Sequence, residues 1–208
     1  MSQLDLFAPP PAPTRDEALA LLAPYLGQDL RALSDALGVT RPQDPPQGSG
    51  WAGHTVEWLL GQSPNNHQAP DFGAWELKVT TVEPHPKRRA WRPRGVIALT
   101  QFQPSELLDT PFLQSHLYAK TRHVLIACHE APNDEGRGAR LVKLCPYDLE
   151  GETHSRVEAE YQALQWSMRT HGLMGLKDVS TALVGAQSDQ RGWRFVARRR
   201  WVEEMIAD

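Results

Sequence analysis

Apolar and polar positions along the chain change period several times, and each change marks an element. In "AWELKVTTV" (74–82) Trp75, Leu77 and Val79 alternate with Glu76, Lys78 and Thr80. That is the two-residue period of a strand with two different faces. "GVIALTQF" (95–102), "RHVLIACHE" (122–130) and "ARLVKLCPY" (139–147) are apolar runs of strand length. Helical spacing occurs in "TRDEALALLAPYLG" (14–27), with Leu19, Leu21, Leu22 and Tyr25 on one side. Thr14 suits its cap, and Asp16 and Glu17 suit its positive end. "DLRALSDALGV" (29–39) and "WAGHTVEWLL" (51–60) predict two more helices, stopped by Gly38 and Gly61. "SRVEAEYQALQWSMRTHG" (155–172) is the longest helix candidate, with Val157, Tyr161, Leu164 and Met168 on one side. "STALVGAQ" (180–187) predicts a strand, and "WRFVARRRWVEEMI" (193–206) a strand or a helix. The sum is a mixed α/β fold around a central sheet.

Ahead of these elements, "MSQLDLFAPPPAPT" (1–14) joins a short apolar-acidic peptide to a proline-rich spacer, the composition of a flexible tail. The remaining residues, 15–208, suffice for a single domain with one substantial core. No stretch has the apolar length of a membrane span, and the start lacks a signal-peptide pattern. Cys128 and Cys145 suggest no disulfide framework and fit the reduced thiols of a cytoplasmic protein.

The net charge of −3 argues against indiscriminate nucleic-acid binding, but the charge is unevenly spread. "KRRAWRPR" (87–94) carries five basic residues in eight, and "RGWRFVARRR" (191–200) five in ten. Basic patches with interleaved aromatics can follow a phosphate backbone, which nominates Arg88, Arg89, Arg191 and Arg194. Gln187 could bond an adenine edge bidentately, while arginines read guanine or clamp phosphate. Solvated surface charge is the plainer reading of either patch.

The chemistry concentrates in "PDFGAWELKV" (70–79). On a strand Glu76 and Lys78 share a face, and Asp71, in the loop before, can bend toward the same point. Two converging carboxylates suit Mg²⁺, which prefers hard oxygens and retained waters. A lysine beside them can orient or deprotonate a water, or neutralise a phosphate. On the preceding helix Glu57 is acidic among Val56, Leu59 and Leu60, which is costly unless it is paired or bound to a metal. No glycine-rich phosphate loop, Gly-x-Ser-x-Gly elbow or tight Cys/His zinc pairing is present.

"SGWAGHTVEWLLG", the loop holding "PDF", "WELKV", "GVIALTQF" and "SHLYAKTRHVLI" together resemble, in order, the MutH family of DNA mismatch-repair endonucleases and its restriction-enzyme relatives. The resemblance runs from about residue 15 to the C-terminus and is strongest over 50–130. It implies a restriction-endonuclease-like fold: a mixed sheet flanked by helices, its two arms (roughly 15–130 and 131–208) enclosing a DNA cleft. It further implies that Asp71 and Glu76 hold Mg²⁺, with Mn²⁺ or Ca²⁺ able to substitute in binding. Lys78 is then the active-site lysine, Glu57 an additional active-site carboxylate, and Lys120 of "SHLYAK" a second lysine near the scissile phosphate. The implied activity is nicking of the unmethylated strand at GATC-like sites in mismatch repair, with double-stranded DNA as substrate and a MutL-like activator. A monomeric bacterial protein acting at the nucleoid is implied as well. Where the family has an Arg-Pro-Lys run this chain has "GAQSDQ", and Trp193 and Arg194 stand in place of a Phe-Tyr pair. A type II restriction endonuclease with another recognition sequence, and an inactive DNA- or clamp-binding module, are the alternatives. Finally, "QLDLF" (Gln3, Leu4, Asp5, Leu6, Phe7) resembles the pentapeptide that docks bacterial DNA-processing proteins onto the polymerase sliding clamp. Leu6 and Phe7 would fill an apolar pocket of that partner, reached on the proline-rich tether.

Overall fold

The computed structural model describes residues 12–39, 50–62, 69–131 and 138–207. The pentapeptide at residues 3–7 lies outside the described residues. Three helices come first: α1 (Arg15–Leu22), α2 (Leu30–Ala36) and α3 (Trp51–Leu59). Helix α1 begins at a capping box in which Thr14 accepts from the Glu17 amide and the Glu17 carboxylate takes the Thr14 amide.

The central frame is a four-stranded mixed sheet in the order β2-β1-β4-β5, built from β1 (Glu76–Pro84), β2 (Trp91–Pro93), β4 (His123–Glu130) and β5 (Leu141–Asp148). Strands β1 and β4 run parallel, with Glu76 opposite Val124, while β5 and β2 pair antiparallel on either side. Strand β3 (Ile97–Phe102) leaves this frame and joins β7 (Gly192–Ala197) and β6 (Val184–Asp189) in a three-stranded antiparallel sheet, order β3-β7-β6. The mixed α/β architecture with flanking helices is as the sequence predicts; the division of its strands between two sheets rests on long-range pairings.

Strand β4 shows how the core is organised. Val124 through His129 are all buried, and alternate residues face different clusters. Leu125 and Ala127 join Leu77, Leu141, Val56, Leu22 and Leu30 against the N-terminal helices. Val124, Ile126 and Cys128 face the other way, toward Phe102, Phe195, Tyr161, Leu164 and Trp201. Each such side chain removed from water contributes about 1.5–3 kcal/mol, so a strand covered on both faces anchors the fold.

The remaining helices are α4 (Pro104–Asp109), α5 (His116–Ala119), α6 (Gly151–Asp178) and α7 (Arg199–Met205). Backbone reversal at Gly172 (φ 64°, ψ −154°) breaks α6 where the sequence pattern ends its long helix. Glu160 of α6 accepts the backbone N–H groups of Ala182, Leu183 and Val184 at 2.7–2.9 Å, fixing the start of β6. The C-terminal stretch that suits either strand or helix is both: β7, then α7 after Arg198. No helix among the described residues is long and apolar enough to cross a membrane.

Candidate active site

The turn before β1 is tightly built. Phe72 stacks on Trp75 with ring centroids 4.1 Å apart, and the Phe72 amide donates to the Trp75 carbonyl at 3.1 Å. Gly73, at φ 70°, supplies the left-handed residue the reversal needs. The Trp75 indole N–H donates to the Pro13 carbonyl at 2.9 Å, tying the turn to the chain ahead of α1. This turn delivers Asp71 to Glu76: the Asp71 amide donates to Glu76 Oε2 at 3.0 Å.

Glu76 is fully buried, which the strand alternation alone does not foretell. Its other oxygen, Oε1, accepts from Lys78 Nζ at 2.5 Å and from Lys120 Nζ at 3.2 Å. Lys120 Nζ also reaches Asp71 Oδ1 at 3.3 Å, so one ammonium bridges both carboxylates. Burial pushes the Glu76 carboxyl above its ordinary range, against the pull of Lys78.

Lys120 arrives from a different part of the chain. Residues 116–119 form the one-turn helix α5, begun by Ser115, whose hydroxyl accepts from the Tyr118 amide. Lys120 closes that turn, donating its amide to the His116 carbonyl, and Thr121 ties back to the Leu117 carbonyl. Strand β4 starts three residues after Lys120, and its Val124 pairs with Glu76, which sets the ammonium beside the carboxylate. The short helix ahead of the strand turns the lysine inward.

Glu57, on α3, faces the same cluster. One of its oxygens, Oε2, is buried and has no hydrogen-bond partner among the described residues. Burial, followed by the negative charges of Asp71 and Glu76, pushes its carboxyl up to about 7. Glu57, Asp71, Glu76, Lys78 and Lys120 thus form one electrostatic unit.

The other candidates lie elsewhere. Arg88 and Arg89 are exposed on the hairpin past the far end of β1, a strand that carries the chain about 26 Å from Glu76 to Pro84. They line a cavity of about 590 Å³ with His85, Trp91, Arg92 and Lys143. Gln187, Arg191 and Arg194 share the β6–β7 hairpin, where Gln187 pairs with Arg194 across the ladder. Arg194 Nη1 is 3.1 Å from Asp189 Oδ2, and the Arg191 amide also donates to Asp189. Trp193 is half-buried on that hairpin, with the Lys177 ammonium 6.0 Å above its ring. Residues the sequence reading leaves out are Arg198 and Lys177, which line a cavity of about 390 Å³ with Gln187. Only the place of Arg198 in "RGWRFVARRR" and of Lys177 in the last turn of α6 could have flagged them.

A divalent cation suits the donor set. Asp71 and Glu76 offer hard oxygens, and the position between them already carries a positive charge, the Lys120 ammonium. Among the described residues no group of three His, Cys, Asp or Glu side chains stands ready to hold a metal ion. An ion here would be held by those two carboxylates and complete its shell with waters, as Mg²⁺ does.

Residues 60–157 match the family model of MutH, described as DNA mismatch repair enzyme MutH. The match bears out the resemblance read from the sequence over that span, and supports the coarse reading of a nuclease of the MutH and restriction-endonuclease kind. Asp71, Glu76, Lys78 and Lys120 fall inside the matched residues; Glu57 and the β6–β7 hairpin fall outside. No curated protein matches the chain.

Proposed function

We propose that this chain, with a MutH-family match that takes in Asp71, Glu76, Lys78 and Lys120, is a Mg²⁺-dependent DNA endonuclease that nicks the unmethylated strand at GATC-like sites during mismatch repair. The observation that carries the reading is the convergence of Lys78, Lys120 and Asp71 on the buried carboxylate of Glu76. Phosphodiester hydrolysis needs charge neutralisation, an activated water and a stabilised leaving oxygen, and this group supplies partners for each.

Asp71 and Glu76 are the residues that would hold the ion, which supplies positive charge and a lowered water pKa when bound. Lys78, hydrogen-bonded to Glu76, orients the attacking water. Lys120 carries a positive charge for the scissile phosphate. Glu57, with its carboxyl near 7, can take up or release a proton at neutral pH. The β6–β7 hairpin with Gln187, Arg191 and Arg194 reads the bases, while Arg88 and Arg89 contact phosphates outside the catalytic group.

Two partners belong to this reading. A MutL-like protein activates cleavage, and the sliding clamp takes Gln3–Phe7. The hydrogen bond from Trp75 to Pro13 sets the root of the tail beside the catalytic turn. Its 12 preceding residues span at most about 40 Å when extended.

The test uses one supercoiled plasmid with GATC sites, unmethylated, hemimethylated or fully methylated, incubated with protein and Mg²⁺ with and without a MutL protein. Nicks at GATC, blocked by full methylation and accelerated by MutL, are expected. The second reading is a restriction endonuclease, favoured by "GAQSDQ" where the family has its Arg-Pro-Lys run. Linear product at another sequence, indifferent to MutL, would establish that reading instead.

A further inference from the structure

We propose that Lys120 is a built-in counter-cation, seated between Asp71 and Glu76 in the DNA-free protein and drawn off them by the backbone phosphate, so that DNA binding opens the seat for the metal. The inference rests on the reading of this site as a metal-dependent nuclease and concerns how that site is loaded.

The geometry is specific to Lys120. Its ammonium lies 3.3 Å from Asp71 Oδ1 and 3.2 Å from Glu76 Oε1, joining the two side chains that would share an ion. Among the described residues Lys78 is ion-paired with Glu76 and not with Asp71. The second oxygen of Glu76 accepts from the Asp71 amide, and Oε1 is the oxygen that both lysines share. The Lys120 side chain is 9 % exposed and that of Glu76 is buried, which keeps water from screening the contact.

Charge sets the direction of the coupling. The carboxylates of Asp71 and Glu76 balance the two ammonium groups, and Glu57 adds at most one further negative charge. A divalent ion added with both lysines in place therefore leaves at least one net positive charge in a confined space, which opposes binding. A phosphate at the site offers Lys120 a new partner and adds negative charge. The ion and the DNA therefore favour one another, and the coupling is equal in both directions.

Calorimetric titration of Ca²⁺ into DNA-free protein tests this without cleavage. Lys120→Met is expected to bind Ca²⁺ about ten- to a hundredfold more tightly than the parent chain. Lys120→Arg, which keeps the charge, is expected to stay weak. In a second arm, with a GATC-containing phosphorothioate duplex bound, the gap between parent and Lys120→Met should shrink. Thermal melts with and without Ca²⁺ accompany each variant; should Lys120→Met fail to fold, Lys120→Gln carries the comparison. Equal or weaker Ca²⁺ binding by the charge-removing variant would overturn the proposal while leaving the metal reading intact. No Ca²⁺ binding by any of the proteins, with or without the duplex, would overturn both.

Discussion

Lys120 Nζ lies 3.2 Å from Glu76 Oε1 although 44 residues separate them in the chain. The contact joins the first residue of β1 to the residue that closes α5, and both side chains are almost wholly buried. Removing one member leaves the others uncompensated in a confined space.

Glu76→Ala and Lys78→Ala are accordingly expected to lower cleavage by at least about a hundredfold. Lys120→Ala should also cost about 1–3 kcal/mol of stability, less than a fully orphaned buried charge because Lys78 still pairs with Glu76. Nicking assays on supercoiled plasmid and urea melts of each variant measure the two effects. Cleavage by Glu76→Ala at the parent rate would refute the assignment.

Glu57 sets a pH dependence of stability. Its carboxyl titrates near 7 in the fold and near 4.5 when unfolded, so between those values the folded chain binds the extra proton. Stability falls as pH rises across that window, by at most about 3 kcal/mol at its upper end. Glu57→Gln should flatten the profile and melt later than the parent chain at pH 8. Urea melts between pH 5 and 8, without divalent ions, decide it.

A second ionic contact carries the opposite sign. Arg15 meets both oxygens of Asp148 at 2.6 and 2.8 Å, linking α1 to the end of β5. The Arg15 hydrogen bonds hold the Asp148 carboxyl down to about 2, so its stabilisation is complete above pH 4 and lost as pH falls through 2. With its partial exposure, Asp148→Asn is expected to cost about 0.5–1 kcal/mol at pH 7. The difference from the parent should narrow between pH 4 and 2 in acid titrations followed by circular dichroism.

On the β6–β7 hairpin, Gln187→Ala and Arg194→Ala should change which sites are cut more than how fast the best site is cut. A base contact is worth about 1–3 kcal/mol, whereas loss of a phosphate contact weakens all sequences alike. Sequencing of cleaved random-sequence DNA distinguishes the two. A uniform loss at every site would assign these residues to the backbone.

Much of this arrangement is legible in the residues themselves. Strands β1 and β4 declare themselves because Leu77, Val79 and the run 124–128 meet cores on opposite faces. Asp71, Glu76 and Lys78 are neighbours in sequence, so strand period and one turn suffice to converge them. Lys120 is different: α5 has four residues, too few for any helical period, and parallel pairing with β1 places it. The family resemblance, not periodicity, singles it out. The burial of Glu76 is hidden because a polar strand position ordinarily faces water. Strand β3 looks like a neighbour of β1 in sequence, yet it pairs with β7, nearly a hundred residues later.

The single carboxylate of Glu160 gathers three successive backbone amides at the root of β6, while Arg198 closes the root from the other side by donating its amide to the Leu183 carbonyl. The hairpin is held to the body at this root and along the β3–β7 ladder, which runs out to the Phe102–Trp193 pair, while its exposed tip, residues 187–191, lies beyond both. Substitutions at the tip can accumulate without loosening the platform beneath it. On the proposed function, the same scaffold could thus acquire a new target sequence by drift at a handful of exposed positions, with its folding and the carboxylates of the candidate site untouched.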